Sequence, residues 1–102
     1  MKIVGIEWDA ANLMHFTSHG RCHQKEVEEI LLSRCHPSRV VEQPRQPGDE
    51  VRLRVYGQTC RHRYLVVIAA PRPGHVLRPI TGWPLSDKEL ESYQRWRRSL
   101  PR

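Results

Sequence analysis

The sequence predicts an α+β domain: two N-terminal helices, an antiparallel β-meander of three to four strands, and a C-terminal helix. Three observations predict it. The first is the run Tyr64-Leu-Val-Val-Ile-Ala-Ala70, the one long apolar stretch, rich in β-branched residues and closed by Pro71. That length and composition suit a strand buried on both faces. The second is the helical spacing of Val27, Ile30 and Leu31, an apolar stripe early in the chain. The third is Ser86-Asp-Lys-Glu89, a capping box that opens a late helix.

In order, residues 2–8 are short and apolar, an edge strand or an extended lead-in. Asp9 suits an N-cap, and Gly20 a left-handed C′ position, so a helix is expected over 10–19. The second helix is expected over 23–34. Glu26, Glu28 and Glu29 lie near its positive end, Arg34 lies near its negative end, and His36-Pro37 is its stop. Val40-Val41 reads as a brief strand, and 43–49 as a loop with two prolines and a glycine. Residues 50–56 alternate Val51, Leu53, Val55 with Arg52, Arg54, Tyr56, as a half-buried strand does. The buried strand follows, then a turn at 71–74 and a last strand over 75–81. Pro79 inside that strand removes a ladder donor, which places it at an edge or a bulge. The last helix is expected to run from the capping box to about Ser99.

At 102 residues the chain suits one domain with one core. Its 38% hydrophobic and 27% charged content fits a globular rather than a disordered chain. No apolar segment approaches the ~20 residues that span a membrane, and no secretory signal is visible. A cytoplasmic location is the default expectation. Three cysteines, Cys22, Cys35 and Cys60, cannot all pair within one chain, so free thiols in a reducing compartment are expected. Cys22-His23 and Cys35-His36 fit no standard zinc spacing, and the second helix would separate the pairs by about 18–20 Å. No metal and no cofactor are expected.

The net charge of +6 is uneven. Residues 1–36 carry four Lys/Arg against five Asp/Glu, and residues 37–102 carry thirteen against six. A basic second part suits a polyanionic partner, nucleic acid or an acidic protein segment. A solvated basic surface that serves only solubility explains it equally well.

Ile6-Glu-Trp-Asp-Ala-Ala-Asn12, His15, His19-Gly20 and Glu26-Val-Glu-Glu-Ile-Leu31 resemble the opening of BrnT-type toxins, the toxin halves of type II toxin–antitoxin pairs. Gly57-Gln-Thr59, Arg63-Tyr-Leu-Val-Val67 and Arg78-Pro-Ile-Thr81 are similar to that family's later motifs, as are Ser86, Lys88, Glu89 and Tyr93 to its last helix. The resemblance spans nearly the whole chain. It implies a RelE-like fold and a metal-independent RNA endonuclease that acts on mRNA and inhibits translation. It also implies a cognate antitoxin with a ribbon-helix-helix part, in a hetero-oligomer with the toxin. Two positions depart from the pattern. Gly82-Trp83 stands where the family has Ala-Arg, and His62 stands where it has Gly. The first departure removes a cation from the implied site.

RNA cleavage without a metal needs a base, cations on the phosphate and an acid. Arg63 and Arg78 suit the phosphate role because the guanidinium fork makes paired bonds; as plain strand arginines they would only be solvated. His15 and His19, four apart on one helical face, could act as acid or base, or as cap and packing residues. Tyr93 could donate a proton or stack on a base, or pack on the sheet. Arg61 and Lys88 are candidates for binding substrate, as is Trp83, which could stack on a base. The expected catalytic set is thus Arg63, Arg78, His19 and Tyr93, with Arg61, Trp83, Lys88 and His15 binding substrate. The alternative is a weakened toxin-like module that binds RNA or an antitoxin without efficient cleavage. A third reading is an unrelated basic domain that binds acidic protein segments.

Overall fold

In the computed structural model, which describes residues 2–101, the elements are β1 (Gly5–Ile6), α1 (Ala10–His19), α2 (Gln24–Leu31), β2 (Arg39–Glu42), β3 (Leu53–Gln58), β4 (Tyr64–Arg72), β5 (Val76–Pro84) and α3 (Asp87–Arg98). The class is α+β, as expected. The order differs, because a strand precedes the helices and the sheet has five strands, β1-β5-β4-β3-β2. β1 pairs parallel with β5, and every other pairing is antiparallel.

Local chemistry explains the helix ends. Asp9 and Asn12 cap α1 reciprocally, with Asp9 Oδ1 accepting from the Asn12 N–H at 3.0 Å and Asn12 Oδ1 from the Asp9 N–H at 2.8 Å. Gly20 closes α1 at φ 63, a conformation glycine adopts without a Cβ clash. The Ser86–Glu89 box caps α3 as expected. α2 is shorter than the sequence suggests. It stops at Leu31 because Ser33 turns left-handed at φ 49, and its N–H reaches back to the Ile30 carbonyl. Arg34 and His36-Pro37 therefore lie beyond the helix.

The strand ends move as well. β3 covers Leu53–Gln58 rather than 50–56. β4 runs through Pro71 to Arg72. β3 starts opposite Ala69, so one flank of Pro71 has no strand beside it, and a proline is tolerated at such an edge. β5 extends to Pro84. Pro79 sits at a bulge: Ile68 faces Thr81 while Ala69 faces Pro79, leaving Ile80 unpaired. β1 reaches only as far as Leu77. Beyond it, α1 closes the β5 flank, and the buried Asn12 donates to the Pro79 carbonyl at 3.2 Å and the Glu7 carbonyl at 2.9 Å.

The main core lies between one sheet face and the first two helices: Phe16, Cys22, Val27, Ile30 and Leu31 against Leu53, Val55, Leu65, Val67, Ala69 and Leu77. Gly57 and Gly82 are required by close packing. A Cβ at 57 would lie 2.9 Å from Ile30 Cδ1 and from Ser38 Oγ, and one at 82 would lie 3.0 Å from the Val66 carbonyl oxygen and 3.2 Å from Cys22 Sγ. α3 rests on the opposite face, where alternation points Tyr56 and Tyr64; Tyr64 and Tyr93 meet edge to face, centroids 6.0 Å apart.

The expectation of three free thiols is overturned. Cys35 and Cys60 form a disulfide, Cα atoms 5.3 Å apart, and Cys22 alone remains free and buried. The early end of α2 is the cause, since it turns the chain back and delivers Cys35 to the β3–β4 turn. Burial pushes the Cys22 thiol up to about 11. Among the described residues, no helix is long and apolar enough to cross a membrane.

Candidate functional site

The residues singled out in the sequence occupy four places. Arg63 lies just before β4, its Nη1 on both carboxylate oxygens of Glu26 at 2.7 and 2.8 Å and its Nη2 on the Arg21 carbonyl at 3.0 Å. Arg78 lies opposite Ala70 at the far end of β4. It is 2.6 Å from Asp9 and 3.8 Å from Glu7. Seven residues of strand separate these levels, roughly 23 Å at 3.3 Å per residue. The structure does not bring Arg63 and Arg78 to one phosphate.

Arg78 belongs to a closed charge network. Arg72 joins it, 3.1 Å from Glu7 and 2.9 Å from Glu50. The Arg78 hydrogen bond, then the capping bond from Asn12, hold the Asp9 carboxyl below its usual range. The Arg72 hydrogen bond does the same for Glu50.

His15 Nε2 lies 3.1 Å from Thr81 Oγ1, and the His15 and His19 rings meet at a tilt of 57° with centroids 4.4 Å apart. Both sit on α1 beside β5. Trp83 is half-buried on β5 opposite Val66, five residues along from Arg78. Lys88 is exposed in the first turn of α3, and Arg61 is exposed in the β3–β4 turn. Tyr93 is 1% exposed, and its hydroxyl donates to the Pro37 carbonyl at 2.5 Å. Burial raises its phenol above the usual range. Tyr93 thus packs against the sheet with its hydroxyl bonded inward.

The cluster the sequence reading missed lies where β4 begins. Arg97 of α3 donates from Nη1 to Gln58 Oε1 at 2.7 Å and from Nη2 to His36 Nδ1 at 2.8 Å. Gln58 Nε2 is 3.4 Å from His62 Nδ1, and the His36 and His62 ring centroids are 5.4 Å apart. His62 sits at φ 70, a left-handed backbone that glycine adopts more readily. Desolvation, then the charge of Arg97, then His62, hold His36 below the usual imidazole range. The disulfide joins the segments that carry the two histidines, and the buried Glu29 accepts the Cys60 N–H at 3.0 Å. Beside them Tyr64, Gln94, Arg97 and Arg98 line an open hollow of about 370 Å³. The available signal was the pair Cys35-His36 and Cys60-Arg-His62: bonding those two cysteines brings the histidines together.

Among the described residues, no ion pair joins Arg61, Arg97 or Arg98 to a carboxylate. No group of three or more His, Cys, Asp or Glu side chains there is placed to hold a metal ion. The chain matches no protein family, no curated protein and no solved structure.

Proposed function

We propose that this chain is an RNA-binding, toxin-like protein that cleaves RNA without a metal and is held in check by a partner antitoxin. The observation that carries the RNA reading is the uncompensated cation group at the start of β4. Arg97 and Arg98 line one hollow with Tyr64 and, among the described residues, pair with no carboxylate; cations interleaved with an aromatic face suit a single-stranded polyanion. The sequence resemblance supports the toxin reading and the ribbon-helix-helix antitoxin.

A second reading has its own support. Arg63 and Arg78 are each spent on carboxylates and lie at opposite ends of β4. Trp83 adds no charge beside either. A module that binds RNA or an antitoxin while cleaving slowly fits that arrangement.

The test is incubation of single-stranded RNA with wild type, Trp83→Arg and Arg63→Ala in chelator, with folding checked by circular dichroism. Chelator-resistant cleavage supports the first reading. Salt-sensitive binding without cleavage supports the second, because phosphate contacts release counterions. Neither binding nor cleavage sinks both. Co-purification with the product of a neighbouring gene tests the antitoxin.

A further inference from the structure

We propose that Arg97, His36 and His62 form a binding site for a phosphate group, next to the hollow that Arg97 lines with Tyr64. For RNA as the source of that phosphate, the inference rests on the reading above; the anion site stands apart from it.

Hydrogen-bond accounting supports it. A guanidinium has five N–H donors and never accepts. Arg97 uses one on Gln58 and one on His36 and lies within hydrogen-bonding reach of the Tyr93 hydroxyl, which leaves at least two. Because Arg97 can only donate, His36 Nδ1 must accept, and its ring proton sits on Nε2 as a further donor. Gln58 Oε1 is taken by Arg97, so its amide nitrogen faces His62 Nδ1. His62 therefore also presents Nε2–H, from an exposed ring. The described structure supplies donors and a positive charge here, with no carboxylate paired to Arg97. A tetrahedral oxyanion accepts from such donors and answers that charge.

The donors are also held in place. The disulfide fixes the histidine-bearing segments to each other. The β3–β4 turn is pinned by Thr59 N–H to the Arg63 carbonyl at 2.8 Å, His62 N–H to the Thr59 carbonyl at 2.9 Å, and Arg63 N–H to Thr59 Oγ1 at 3.0 Å. Desolvation and then the charge of Arg97 favour the uncharged form of His36. Donors fixed before the ligand arrives bind it with less ordering cost.

The experiment is a titration of the histidine side-chain nitrogens by NMR. The probes are inorganic phosphate, then a short single-stranded RNA and the DNA of the same sequence. Shifts concentrated at His36 and His62 are expected with phosphate. Arg97→Ala should weaken binding about tenfold, as loss of a charged hydrogen-bond partner does. Arg97→Lys, which keeps charge but loses the fork, should fall between. His62→Asn, a residue that tolerates the left-handed backbone, should weaken binding while leaving the fold intact. Arg95→Ala, on the same helix but paired with Glu91, is the charge control and should stay within about twofold, as a surface pair predicts. Shifts spread evenly over the surface, or Arg97→Ala binding as tightly as Arg95→Ala, would overturn the site. If wild type cleaves RNA and Arg97→Ala cleaves it equally well, RNA is not the source of the phosphate and the functional reading survives. If phosphate binds at the histidines and neither nucleic acid does, the site stands for a free phosphate and the RNA reading falls.

Discussion

The two ends of β4 use the same residue type in opposite ways. At the Arg72 end, Arg72 and Arg78 are tied to Glu7, Asp9 and Glu50. At the Tyr64 end, Arg97 bonds a neutral amide and an imidazole and, among the described residues, no carboxylate. The first set holds β1 and the start of α1 against the sheet. The second leaves charge available to an outside anion. An arginine's place in a strand pattern does not reveal which kind it is; its partner does.

The largest expected effect breaks the open end. The Cys35→Ser, Cys60→Ser double variant removes a crosslink across 25 residues, worth about 3–4 kcal/mol in the loop-entropy account. Hydrogen exchange should rise most at residues 33–38 and 59–63, with Glu7, Glu50 and Arg72 little changed. Uniform loss of protection would show that the disulfide does not serve that end in particular.

Next is the contrast between arginines. Arg97→Ala should lower RNA affinity severalfold and reduce the slope of log affinity against log salt by about one. Arg78→Ala should leave both nearly unchanged, because its charge is already answered by Asp9. Equal losses would erase the distinction between the ends.

Acid should separate the ends by pH. Folding lowers the proton affinity of His36, so below its ordinary value near 6.5 the unfolded chain binds more protons and stability falls as pH drops. Asp9 and Glu50 are lowered too, so their contribution is present above the usual carboxylate range and is lost as pH falls through it. Denaturant titrations across pH should show an early loss that His36→Gln removes. A later one, nearer pH 4, should be reduced by Arg78→Ala. A single step that both variants leave untouched would sink the assignment.

The smallest effect is the reference. Arg95→Ala breaks an exposed i,i+4 pair with Glu91 at 3.0 Å, worth about 0.3–0.5 kcal/mol. A larger loss would mean that α3 depends on its surface charges more than on Tyr93.

Much of the fold was legible. The apolar run became β4, the alternation of Val51, Leu53 and Val55 announced β3, and Asp9, Gly20 and Ser86 marked helix ends where they fall. The misreadings share a cause. The early end of α2 depends on a left-handed Ser33, and β1 is a strand only because β5 lies beside it. Of the expected site, the chemistry of Arg63 and Arg78 was visible but their carboxylate partners were not. Tyr93 offered a hydroxyl that the fold buries.

The sequence by itself determined the elements, because periodicity, capping and turn chemistry act between residues a few positions apart. Only the tertiary structure decided which charges are answered and which sulfurs meet. Glu26 reaches Arg63 across 37 residues, Asp9 reaches Arg78 across 69, and Cys35 reaches Cys60 across 25. Ion pairs and crosslinks act through space at a few ångströms, and at those sequence separations only the folded backbone sets the distance.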